Sequence, residues 1–102
     1  MDPIFEPSFQ RSMVPDSALV RRMADRDATA LIELQRRYRG SVYARVYSIL
    51  WDTERAELVV TRAFEQLWHA AVRMNGQSQR ALSWLQRTAG ELAHAERTNR
   101  RR

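Results

Sequence analysis

His69 and His94 are the only imidazoles in a 102-residue chain that contains no cysteine. Glu65 and His69 stand one helical turn apart, the spacing at which a carboxylate and an imidazole can share a metal ion. A protein metal site needs more ligands than that, and no second pair in the chain completes this one. The two read as a surface ion pair. The chain has no Gly-x-Ser-x-Gly elbow and no His-Glu-x-x-His helix, and three glycines leave little scope for a phosphate-cradling loop. Without cysteine there is no thiolate zinc site, disulfide framework or cysteine nucleophile. No catalysis, metal or cofactor is therefore expected. The chain reads as a binding module.

The charge pattern suggests what it could bind. All seventeen basic residues are arginine. Arginine presents a planar fork to phosphates and stacks on bases. Residues 1–72 carry ten arginines and ten acids, so the net charge of +5 sits entirely in residues 73–102. A basic end of this kind is the footprint of a polyanion-binding surface, or else a solvated helix end. Tyr43, Tyr47 and Trp51 lie near Arg45 and Arg55 in sequence, and rings beside guanidinium groups suit single-stranded nucleic acid. Trp68 and Trp84 fall on inward stripes and read as core.

Helices must position these groups. Residues 1–15 hold three prolines and no periodicity, and read as an irregular arm that Ile4, Phe5 and Phe9 could anchor. Asp16 or Ser17 is the expected N-cap of a short helix with Leu19, Val20 and Met23 inward. Asp27 is the expected cap of a long helix over 28–50, with the stripe Leu31, Leu34, Tyr38, Val42, Val46 and Ile49. Asp52 or Thr53 caps a third, reaching about Met74. Its stripe is Ala56, Val60, Ala63, Phe64, Leu67, Trp68 and Ala71; Val59 falls at the margin and Leu58 off it. Asn75-Gly76 is a natural helix stop. Ser78 starts a fourth helix with Ala81, Trp84, Leu85, Thr88, Ala89 and Leu92 inward. The expected fold class is all-α: a compact bundle of three long helices and one short N-terminal helix, forming one domain over 16–98 with a basic tail at 99–102. No run approaches the roughly 20 apolar residues of a membrane span, and no signal peptide is evident, so the expected location is cytoplasmic, with no membrane partner.

The order of these signals resembles region 2 of the extracytoplasmic-function sigma factors of bacterial RNA polymerase. Asp16, Leu19, Val20, Asp27, Arg37, Tyr38, Val42 and Tyr43 match the family's first two helices. Asp52, Ala56, Glu57, Val59, Val60, Phe64 and Trp68 match its central helix, and Trp84, Leu85 and Ala89 the start of its DNA-facing helix. The resemblance implies that the outer face of the central helix, through Glu57, Leu58, Thr61, Arg62 and Glu65, docks on the clamp helices of the polymerase β′ subunit. It also implies that Arg73, Gln77, Ser78, Arg80, Arg87 and Arg97 engage −10 promoter DNA, mainly the non-template single strand. There a base is flipped out and held, and the cost of unstacking is repaid by contacts to it.

The chain departs from the family where function is concentrated. Leu58 stands where the family usually has aspartate and Thr61 where it has glutamine, which reduces the polar character of the docking face. Gly90, Glu91 and Ala95 replace the Arg, Asn and Asp common on the fourth helix, and Gly90 weakens that helix by ~1 kcal/mol. The family also continues into a second domain, so the chain reads as a fragment of a longer sigma factor or as a stand-alone domain. An alternative function stays open. It is a sigma-fold interaction domain that binds an anti-sigma factor or other regulator without recognising a promoter.

Overall fold

A computed structural model describes residues 14–74 and 81–100. The described residues form four helices and no strand: α1 (Asp16–Ala24), α2 (Ala28–Leu50), α3 (Thr53–Met74) and α4 (Ala81–Arg100). The three long helices pack on one another, and α1 lies against all of them. The expected stop at Asn75-Gly76 and start at Ser78 lie outside the described residues, and α4 continues through Arg100.

The start of α1 differs from expectation. Pro15 occupies the N-cap position without a side-chain bond, and its carbonyl accepts from Ala18 N at 3.0 Å. Asp16 lies inside the first turn, where an acid favours the positive end of the helix dipole. Its carboxylate reaches across to α2, accepting from Arg37 Nη1 at 2.8 Å and from Tyr38 Oη at 2.6 Å. A residue expected to close its own helix end instead ties two helices together. Burial, then donation to Asp16, raises the Tyr38 hydroxyl above its ordinary 10.0.

α1 ends in a Schellman turn. Asp27 N donates to Arg22 O at 3.0 Å and Arg26 N to Met23 O at 2.9 Å, with Arg26 at φ 65° in the left-handed region. An arginine there costs ~1 kcal/mol or more. Contacts to α3 offset this: Arg26 Nη1 donates to Trp68 O at 3.2 Å, and its guanidinium lies 4.9 Å from the Trp68 ring centroid. Asp27 caps α2 as its sequence position predicts, accepting from Thr29 N at 3.0 Å. The Thr29 hydroxyl and then Arg22 also bond this carboxylate and hold it below its ordinary range. At the next corner Asp52 caps α3, accepting from Arg55 N at 3.0 Å.

Leu19, Val20 and Met23 meet Leu34, Val42 and Val46 of α2 and Val59, Val60, Ala63, Phe64 and Leu67 of α3 in one core. Ala81, Leu85, Ala89 and Ala93 close it from α4. The α2 stripe is shifted from expectation: Ala30 and Leu50 are buried, whereas Leu31, Tyr38 and Ile49 are half-buried against the core. Val59 is fully buried rather than marginal. Trp68, Trp84 and Leu92 are half-buried.

Candidate interaction surfaces on α3 and α4

Residues 58, 61, 62 and 65 fall within an arc of about 100° over two turns, on the side of α3 away from Val60, Ala63 and Leu67. All four are exposed, and Leu58 is 48% exposed. The buried residues beneath them complete the core without Leu58. Glu57, also exposed, lies at the flank of this strip, where its carboxylate pairs with Arg39 of α2. Arg62 Nη1 stands 3.9 Å from Glu96 of α4, a loose pair that leaves its side chain half exposed. The line continues through exposed His69 to Val72, which is 51% exposed. Glu65 and His69 therefore share an exposed face, and no group of three or more potential metal ligands occurs among the described residues.

The basic surface is sorted by the fold into arginines that brace the molecule and arginines that do not. Arg55 pairs with Glu96, and Arg45 Nε donates to Gln86 O at 3.0 Å, so both tie their helices to α4. These are the two arginines expected beside the aromatic residues as phosphate holders. The rings pack on each other instead: Tyr43 stacks on Tyr47 at 6.0 Å, and Tyr47 meets Trp51 at 5.4 Å. Trp51 is the left-handed C-cap of α2 and is 73% exposed. By contrast Arg73, Arg87 and Arg97 are exposed and carry no ion pair among the described residues. Arg73 ends α3, Arg87 lies in the second turn of α4 and Arg97 in its last turns. Gln77, Ser78 and Arg80 lie outside the described residues.

Gly90 has a role that sequence reading missed. A β-carbon there would stand 2.8 Å from Arg45 Nη2 and 2.9 Å from Arg45 Nε. The missing side chain lets the guanidinium of α2 lie across α4. Glu91 and Ala95 beside it are exposed.

No helix among the described residues is long and apolar enough to cross a membrane. No protein-family model, curated protein or solved structure matches the chain.

Proposed function

We propose that the chain is a transcription-initiation module of the sigma region 2 kind, working in the cytoplasm without catalysis, metal or cofactor. In this reading Leu58, Thr61, Arg62 and Glu65, with Glu57 at the edge, dock on the β′ clamp helices. Arg73, Arg87 and Arg97, with Gln77, Ser78 and Arg80, engage the −10 element. The observation that carries the reading is the exposed strip on α3. The helix has a complete inner face, and its outer face holds a half-exposed leucine among polar groups, as a protein-docking surface would. Arginines 73, 87 and 97 support the DNA half, because they carry no ion pair among the described residues.

Binding of a single-stranded −10 oligonucleotide, set against a scrambled one, tests the DNA half. Tighter binding of the −10 sequence is expected, with affinity falling as salt rises. Equal binding of both would reduce the DNA contact to simple charge attraction. Binding of a β′ clamp-helix fragment tests the docking half.

The alternative, a sigma-shaped partner for an anti-sigma factor or other regulator, draws on α4. Arg45 covers Gly90, and Glu91 brings an acid to the helix that would meet phosphates. Absence of clamp binding by the native chain, restored by Leu58→Asp with Thr61→Gln, would favour that reading.

A further inference from the structure

Leu58 and Val72 are the two large apolar residues exposed on α3, and each is seven residues from Glu65. A spacing of seven keeps all three on one line of the helix, about 10 Å apart, with a drift of only ~20° per step. That drift suits a second helix crossing at the shallow angle of a left-handed pair.

We propose that this face is also a self-association surface, whose occupant is α3 of a second copy packed antiparallel about a twofold axis at Glu65. A twofold contact pairs each position before residue 65 with its mirror position after it. Leu58 then meets Val72 of the partner subunit, and the reverse contact forms at the other end. Near the axis the two Glu65 carboxylates approach each other, and the Arg62 side chains, one turn away, reach across to them. The centre then holds two acids and two arginines, each Arg62 facing the partner subunit's Glu65, so the face is complementary in charge to a second copy of itself. Arg62 is available for this because its contact to Glu96 is loose, at 3.9 Å, and its side chain is 49% exposed. Two apolar pairs and two ion pairs place the contact in the transient class, below the ~1,200 Å² of stable complexes.

Its consequence rests on the docking reading given above. The dimer covers Leu58, Thr61, Arg62 and Glu65, so self-association and clamp docking exclude each other. The dimer is then a resting form of the module.

Sedimentation equilibrium over a concentration series tests the contact by charge swapping. The native chain should show a monomer–dimer equilibrium that weakens with salt. Arg62→Glu alone and Glu65→Arg alone should each raise the dissociation constant at least tenfold, because each puts four like charges at the axis. Mixed one to one, these two variants should form a heterodimer, and Arg62→Glu/Glu65→Arg together should self-associate again. Circular dichroism confirms that each variant is folded. A native chain monomeric throughout, or a mixture of folded single variants that stays monomeric, would overturn the proposal. Clamp-fragment binding, read separately at concentrations where the chain is monomeric, keeps the two ideas apart. Clamp binding by a chain that never dimerises removes the dimer alone, and a dimer without clamp binding removes the docking reading alone.

Discussion

α3 and α4 both turn a charged face outward, but they come to it differently. Beneath the outer face of α3 the core is already sealed by Val59, Val60, Ala63, Phe64 and Leu67, yet Leu58 and Val72 remain exposed above it. α4 packs through Leu85 and the small residues Ala81, Ala89, Gly90 and Ala93, and its middle is crossed by Arg45 from α2. Its exposed positions include Arg87, Glu91, His94 and Arg97, and no large apolar group is exposed among its described residues. Isolated exposed apolar residues are ordinary. Two on one line of one helix, over a finished core, mark the face on which a protein partner gains most. The polar face of α4 suits a partner held by charge. In the proposed reading docking falls on α3 and polyanion binding mainly on α4, with Arg73 at the end of α3, and the Arg55–Glu96–Arg62 seam joins the two helices.

The contrast between the two faces of α3 should give the largest effect. Phe64→Ala empties a fully buried site and should cost about 3–5 kcal/mol in urea denaturation. Leu58→Ala should stay within about 0.5 kcal/mol, as at an ordinary surface position. A large loss from Leu58→Ala would mean that the core needs it, and the contrast would fail.

The seam comes next. Glu96→Gln removes the acceptor shared by Arg55 and Arg62. Because both arginines are more than a third exposed, the cost should be only ~1 kcal/mol by thermal or urea unfolding. The same variant frees Arg62, so it should sharpen whatever Arg62 binds.

The clasp on α4 should be smaller still. Gly90→Ala adds a β-carbon against the far end of a flexible arginine, so Arg45 can swing aside. The lost bond to Gln86 and the gain in helix propensity are each ~1 kcal/mol, and the net change should lie near zero. With Arg45→Ala already in place, Gly90→Ala should stabilise by ~1 kcal/mol, and a double-mutant cycle reads the difference. Additive effects would show that the two residues do not meet.

The smallest effect concerns neither face and serves as a control. Asp27 has a folded-state value below its unfolded one, so its stabilising effect is full above the unfolded value. That effect is lost as pH falls through the folded value. Stability should therefore decline on acidification below about pH 4, and less steeply in Asp27→Asn. Equal slopes would remove Asp27 from the acid response.

The helices were legible because each carries a strong periodic stripe, and Asp27 was legible as a cap because its bond is local. What escaped the sequence depended on partners far along the chain. Asp16 looked like a cap until Arg37 and Tyr38 gave its carboxylate better use. Gly90 looked like a weakness because its reason, Arg45, lies on another helix. Ala30 and Ala93 are buried in the core, but alanine is too small and too common in helices to announce it. Spacing alone put Leu58 off the inward stripe of α3, and the rest of the strip was named only through the family resemblance. Which arginines tie helices together could not be read from sequence, since Arg45 and Arg55 differ from Arg87 and Arg97 only in what the fold places beside them.

The most direct test of the docking face is titration of a β′ clamp-helix fragment against the native chain and Leu58→Arg, at concentrations where both are monomeric. The account predicts binding by the native chain and a loss of at least tenfold in Leu58→Arg, with unfolding midpoints unchanged. No binding by the native chain, or equal binding by a folded Leu58→Arg, would contradict it.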